Sequence, residues 1–313
     1  MKRQHKLLTI AIPTYNRIDQ IKAQVKLLIP QLTDEVCLLV IDNHSDIPTE
    51  EHFTKKELEY FSIVRNNANR GAIGNWIACF DNCDTSWLWS VSDDDQLVTN
   101  AVSKVLELIK QNQDSVFINI STNKKDKIIG FYDFCCELKN QSSYTSAFWM
   151  TKCVFNFEKL SSVHYLNYFY ATSMISPLLM VLKYLEYNPD NKVILDNFEI
   201  IKRSDTLNNT WQKLDLIKFE ILTCDIMSLE LHPFLRKSLF RSQFQLNLFL
   251  LGNLIEKKEI SKRDFFYVLR LMFARLGFFR MLLLFPRGLS VAYTKLLVPK
   301  KIIDYIRSIF YIK

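Results

Sequence analysis

Glycine and proline are scarce in this 313-residue chain, at six and eight residues. That scarcity excludes a collagen-like repeat and the Pro/Gly-rich composition of a disordered chain. The seven cysteines (37, 79, 83, 135, 136, 153 and 224) are odd in number and contain no Cys-x-x-Cys pair. A disulfide framework and a thiolate zinc site are therefore disfavoured. Most of these thiols lie in apolar runs, as ordinary buried residues do, and imply a reducing cytoplasm. No Gly-x-Gly-x-x-Gly follows an apolar run, which removes the dinucleotide fingerprint. No uncharged run reaches the roughly 20 residues needed to span a bilayer. The first apolar run is broken by Pro13 and is neither a signal peptide nor a spanning helix.

What is present is the composition of a globular protein, 49% hydrophobic and 23% charged. The net charge of +7 is unevenly placed: from Phe265 to Lys313 there are nine Lys or Arg and one acid, Asp304. A chain of this length makes one large or two modest domains.

Hydrophobic periodicity predicts alternating strands and helices through the first 120 residues. Leu7–Ile12, Val36–Ile41, Phe61–Arg65, Trp87–Val91 and Ser115–Ser121 read as strands. Apolar residues at 18, 21, 25 and 28 mark one helix face; helices are also expected over about 49–59, 72–82 and 102–109. Such alternation means β-α-β units and a mostly parallel sheet flanked by helices. Beyond residue 125 it fades. Helices are expected at 131–138, at 161–187 and in long segments from 214 to 255, with a short strand near 192–195. A boundary falls between about 205 and 215.

In open α/β sheets ligands bind outside the carboxyl ends of the strands. Polar clusters at Thr14–Arg17, Asp42–Asp46 and Asp93–Asp95 follow three different strands, so they converge on one crevice. Three consecutive carboxylates suit either a solvated turn or a hard cation bound with phosphate oxygens and water. For Asp42-Asn-His-Ser-Asp46 alone an ordinary turn is the simpler reading.

Taken together, Ile12-Pro-Thr-Tyr-Asn-Arg17, Val40-Ile-Asp-Asn-His-Ser-Asp46, Asn66-Asn-Ala-Asn-Arg-Gly-Ala-Ile-Gly-Asn75 and Trp89-Ser-Val-Ser-Asp-Asp-Asp95 resemble glycosyltransferase family 2 in order and spacing, over residues 6 to 120. The resemblance implies a GT-A fold, inverting transfer from a nucleotide-diphosphate sugar (a UDP-sugar favoured), and a divalent metal, Mn²⁺ or Mg²⁺. It implies a catalytic domain over 1–210, with a nucleotide-sugar-binding half at 1–120 and an acceptor-side half at 121–210, then a helical, basic region at 211–313. By the same resemblance Pro13, Thr14 and Tyr15 line the nucleotide pocket, Arg17 reaches a phosphate and Asp42 bonds the base. Asn69 and the segment Gly71 to Asn75 form the loop beside the donor, and Asp93 lies near the ribose. Asp94 is the first metal ligand and Asp95 the second, with Ser92 standing where the family often begins its Asp-x-Asp motif with an acid.

Inversion requires a base within hydrogen-bond reach of the acceptor hydroxyl. Ser143–Trp149 resembles the stretch that enters the acceptor site in relatives, and Glu158, Asp190, Asp196 and Glu199 are the acids in range, Glu158 being named first. His164 reads as structural. The acceptor implied is a glycan or a lipid-linked glycan of surface-polysaccharide synthesis. Phe265–Phe285 carries Arg270, Arg275 and Arg280 among its aromatics and either packs on the domain or lies on an anionic membrane. The second reading makes a cytoplasmic enzyme at the inner face of the cell membrane. Nucleic acid is not expected, for no stacking module accompanies the charge. The rivals are a sugar-nucleotide nucleotidyltransferase, disfavoured because Pro-Thr-Tyr-Asn-Arg replaces a Gly-rich phosphate loop, and an inactive GT-A domain that only binds a partner.

Overall fold

In a computed structural model, residues 6–120, 126–171, 175–202, 247–277, 282 and 286–297 are described. Contacts divide the chain into two compact units, one of residues 1–137, 142–171 and 175–207, the other of 138–141, 172–174 and 208–313.

The first unit is built on one eight-stranded sheet. Its strands are β1 (Leu8–Thr14), β2 (Val36–Asp42), β3 (Ser62–Arg65), β4 (Trp87–Ser90), β5 (Ser115–Ile120), β6 (Lys127–Ile129), β7 (Cys153–Asn156) and β8 (Lys192–Asp196). In space their order is β3-β2-β1-β4-β7-β5-β8-β6. β1, β2, β3 and β4 are mutually parallel, as is the β5–β8 pair, while β7 runs antiparallel to both β4 and β5 and β6 antiparallel to β8. The first five strands were legible as apolar runs because helices cover both faces and leave no solvated side to alternate with. β6 and β7 were not foreseen; three and four residues carry too little pattern.

The helices of this unit are α1 (Ile18–Leu28), α2 (Gly71–Asp81), α3 (Ala101–Gln111), α4 (Phe131–Glu137), α5 (Gln141–Phe148), α6 (Phe157–Leu160), α7 (Tyr165–Phe169) and α8 (Ser176–Tyr187). α1 buries Ile21, Val25 and Leu28 as its spacing requires, and also Gln24, whose Nε2 lies 3.4 Å from the Ser92 carbonyl. Trp87 and Trp89 are 2% and 0% exposed at the centre of the core, where truncation to alanine costs about 3 to 5 kcal/mol.

Three expectations are corrected. Residues 49–59 form two 3₁₀ turns, Thr49–His52 and Glu57–Glu59, because Thr54 and the Glu57 carboxylate bond each other's backbone and side chain and break the helix between them. The stretch 161–187 is helical in pieces, a 3₁₀ turn at Ser161–Val163, then α7, then α8, which begins where Pro177 suits a first helical turn. β1 does not stop before Pro13 but runs through it to Thr14. Ala11 faces β4, accepting from the Val91 N–H, so Pro13, two residues on, turns its missing N–H toward space beyond the end of β4.

The second unit contains helical backbone over 247–256, α9 (Lys262–Leu276) and α10 (Pro286–Leu297). Leu248, Leu251, Phe265, Val268, Leu269, Met272, Leu289 and Ala292 are among its buried core. α9 starts at a capping box between Ser261 and Asp264. Most of the expected 214–255 helical region, and Arg280, lie outside the described residues.

Candidate active site

Three loops leave the sheet along one edge, after β1, β2 and β4. The β1 loop turns through Asn16, whose φ of +53° is left-handed, a conformation asparagine tolerates. It is held there by Ser45 and Asp46: Ser45 Oγ accepts from the Asn16 N–H at 3.0 Å, and the Asp46 N–H donates to Asn16 Oδ1 at 2.8 Å. Arg17, at the start of α1, then reaches over the exit of β4. Its Nη1 donates to Asp93 Oδ1 and to Asp94 Oδ2, each at 2.9 Å. Thr14 Oγ1 donates to the other Asp93 oxygen at 2.8 Å. The Asp93 side chain is 5% exposed and that of Asp94 46%. Burial pushes the Asp93 carboxyl above its ordinary value, and the Arg17 and Thr14 bonds recover only part of that cost.

Asp95 turns the other way. Its Oδ2 accepts from Trp149 Nε1 at 3.0 Å and from Thr151 Oγ1. The same Thr151 Oγ1 accepts from the Ser92 N–H at 3.0 Å, and the Thr151 carbonyl takes the Trp89 indole N–H at 2.9 Å. These bonds exist because β7 runs antiparallel to β4, pairing Val154 with Trp89 and Asn156 with Trp87. The residues before β7 therefore arrive beside the carboxyl end of β4. Lys152 follows, its Nζ 4.7 Å from the centre of the Trp149 ring. Burial raises the Asp95 carboxyl as well, and it lowers the Lys152 ammonium, although the charges of Asp95 and Glu199 oppose the latter shift.

Asp42 closes β2 and is fully buried. Its Oδ1 accepts from the Ser45 N–H at 2.8 Å; its Oδ2 accepts from the Thr49 N–H at 3.1 Å and from Arg65 Nη1 at 2.6 Å. Burial alone would raise this carboxyl, but those donors outweigh it and hold it below the ordinary value. Beside it, asparagines tie the loops together. Asn43 Nδ2 donates to Asn69 Oδ1 at 2.8 Å, and Asn66 Nδ2 to Asn43 Oδ1 at 3.1 Å and Asn75 Oδ1 at 3.0 Å. Asn75 Nδ2 approaches the Thr14 carbonyl at 3.3 Å. Gly71 opens α2 at φ +70°, a left-handed turn that favours glycine.

A sequence model described as Glycosyl transferase family 2 matches residues 9–136, the span that holds β1 to β5 and all three loops. That stretch is similar to glycosyltransferase family 2, and the match covers less than half of the chain. An uncharacterized glycosyltransferase of Haemophilus influenzae is 26% identical over 113 residues, which are 36% of this chain and 37% of that protein. Staphylococcus aureus TarS (residues 1–349), solved with UDP-GlcNAc, superposes with a TM-score of 0.53 at 11% identity, covering 86% of this chain and 89% of that one. The mannosyltransferase PcManGT of Pyrobaculum calidifontis, solved with GDP-Man and Mn²⁺, gives 0.51 at 13% identity, covering 95% and 89%. These likenesses establish the fold as that of the GT-A transferases.

Within the matched span, Thr14, Arg17, Asp93 and Asp94 form one bonded group, and Asp95 stands next to them in the chain, held by Trp149 and Thr151 from beyond that span. Pro13 is half-buried behind Thr14, and Tyr15 is 40% exposed beside them in the β1 loop. Asp42, Asn69 and Asn75 are engaged in holding the loops, and Gly71 supplies a turn. Glu158 does not join the group. Its N–H bonds the Ser86 carbonyl, just before β4 begins, so it sits at the opposite end of that strand from Asp93. Seven residues from Ser86 to Asp93, at about 3.3 Å per extended residue, separate the two by roughly 20 Å. β8 runs parallel to β5, which places Asp190 before it at that same far edge and Asp196 and Glu199 at the near one. Asp196 accepts the Phe198 N–H at 2.8 Å and faces Lys104 at 3.9 Å; Glu199 is exposed. Ser146 is a buried tie between its hydroxyl and Asn119 Oδ1 at 3.1 Å. His164 is structural, within 2.9 Å of Asp81 Oδ1. Thr151 and Lys152 were missed by sequence reasoning, and no local signal marks them; only the antiparallel insertion of β7 brings them to the acids.

Among the described residues no three His, Cys, Asp or Glu side chains converge as a ready-made metal cage. Of the three carboxylates, exposed Asp94 is the one open to a Mg²⁺- or Mn²⁺-type ion that completes its shell with phosphate oxygens and water, with half-buried Asp95, turned toward Trp149 and Thr151, next to it in the chain.

Proposed function

We propose that this chain transfers a sugar, with inversion, from a nucleotide-diphosphate sugar to a glycan or lipid-linked acceptor of surface-polysaccharide synthesis, a UDP-sugar being the favoured donor. The observation that carries the reading is the edge cluster: Arg17 and Thr14 from the β1 loop and Thr151 and Trp149 from the acceptor side meet on Asp93, Asp94 and Asp95. In this reading the acceptor oxygen forms a bond to the anomeric carbon as the bond from that carbon to the diphosphate breaks, and the diphosphate leaves with the electron pair. A divalent ion held by Asp94 and Asp95 supplies charge neutralisation for that leaving group. Asp93 and Thr14 position the ribose side, and Arg17 offers a planar fork to a phosphate. The Asp42–Arg65 pair and the asparagine ties fix the base-side loop, with Asp42 as the base's nearest acid. In this reading the acceptor proton goes to a carboxylate on the near edge, for which exposed Glu199 is offered, Glu158 being on the far edge.

The test is a thermal-shift screen of nucleotide-diphosphate sugars with Mn²⁺ or Mg²⁺, since stabilisation grows with ligand concentration over dissociation constant. One donor should stand apart; a flat response to every nucleotide would overturn the assignment.

A specific observation also favours membrane contact. On α9, Arg263, Phe266, Tyr267 and Arg270 lie at helical spacing and are all exposed, Phe266 at 50% and Tyr267 at 53%. Aromatic rings flanked by arginines suit the interface of an anionic bilayer. No helix of the described residues is long and apolar enough to cross a membrane. Co-sedimentation with phosphatidylserine vesicles, lost at high salt and in Phe266→Ser with Arg270→Ser, is the expected result; binding equally to neutral vesicles would contradict it.

A further inference from the structure

We infer that Arg17 is a resident counter-cation of the acid cluster, which the nucleotide diphosphate must draw away before a divalent ion can occupy Asp94. The inference deepens the metal-assisted reading above and rests on it. A single nitrogen, Arg17 Nη1, bridges Asp93 Oδ1 and Asp94 Oδ2 at 2.9 Å each. The remaining oxygen of Asp93 is taken by Thr14, and that of Asp94 by Ser92 Oγ at 2.5 Å. Asp94 Oδ2 is thus the atom for which a metal and the guanidinium compete. A divalent ion on that oxygen and the guanidinium beside it would repel each other next to a carboxylate that is 5% exposed.

Movement of the guanidinium is feasible because its backbone and its head are held by different things. The chain at Asn16 and Arg17 is pinned by Ser45 and Asp46, whereas the side chain of Arg17 is 21% exposed. A diphosphate offers the planar fork two acceptor oxygens, a partner at least as good as two monodentate carboxylates. Exchange of one ion pair for the other leaves Asp94 to the metal. Metal and nucleotide then enter as a coupled pair, and each raises the affinity of the other by the same factor. The device keeps the acids charge-balanced until a donor arrives.

The experiment is Mn²⁺ binding to the full chain, followed by electron paramagnetic resonance, with and without UDP or GDP. In the wild type, Mn²⁺ alone should bind weakly and nucleotide should tighten it at least about tenfold. In Arg17→Gln, Mn²⁺ alone should bind about tenfold more tightly than in wild type, and the added gain from nucleotide should shrink. Arg17→Lys, which keeps the charge on a shorter side chain and offers no planar fork to a diphosphate, should tighten Mn²⁺ alone by a smaller factor and gives the same reading if the Gln variant fails to fold. If neither substitution tightens Mn²⁺ alone while nucleotide still tightens it, the role of Arg17 is overturned and the metal site stands. If no protein binds Mn²⁺ with any nucleotide, the metal reading itself falls.

Discussion

Two groups of carboxylates stand on one edge of the same sheet, and their electrostatics are opposite. At the end of β2, Asp42 is fully buried, yet its donors hold its carboxyl below the ordinary value. At the end of β4, Asp93 and Asp95 have fewer donors for their burial, and both are raised. The difference follows from what surrounds each. Asp42 faces two backbone N–H groups and a guanidinium, whereas burial costs Asp93 and Asp95 more than their donors return, Asp93 sharing Arg17 with Asp94. A saturated carboxylate contributes to folding. A strained set of carboxylates is costly to the fold and is suited to a ligand that brings positive charge.

The contrast can be broken first at β4. Asp94→Ala and Asp95→Asn should each lower sugar transfer by about 10²-fold or more while leaving the thermal midpoint unchanged or higher. Transfer assays beside melting curves check this, and full activity in both would dissolve the distinction. Next in size, Glu199→Gln should lower kcat by about 10²-fold, the scale of a lost general base, and Glu158→Gln should change it less than twofold. An inversion of those two results would place the base on the far edge.

At β2 the expected loss is in stability. Asp42→Ala strands Arg65 and two backbone N–H groups and should cost about 2 to 4 kcal/mol, read from urea midpoints. The smallest effect is in acid. Because the folded Asp42 carboxyl lies below its ordinary 3.8, its contribution is complete above that pH and is lost as pH falls through the folded value. Asp42→Asn should therefore flatten the acid limb of the stability curve below about pH 4 and leave the shape near neutrality unaltered.

Local pattern carried much of the fold. The helix at Ile18–Leu28 follows from its apolar spacing, and the strands around Trp87–Ser90 and Val36–Asp42 from unbroken apolar runs. The convergence of three loops on one edge also followed, since it needs only the strand order and right-handed crossovers. Thr49–Glu59 failed because a side chain competes with the helix backbone, an effect that hydrophobic spacing does not register.

Sequence by itself determined the strands β1 to β5, the motifs that resemble family 2 and the identity of the acids. Tertiary structure decided which acids share a place. β7, four residues long and antiparallel, enters between β4 and β5 and carries Trp149 and Thr151 to Asp95 while removing Glu158 to the far edge. Strand pairing over long separation is fixed by what the whole sheet can bury, not by the few residues that pair, so no reading of 149–158 alone reveals it.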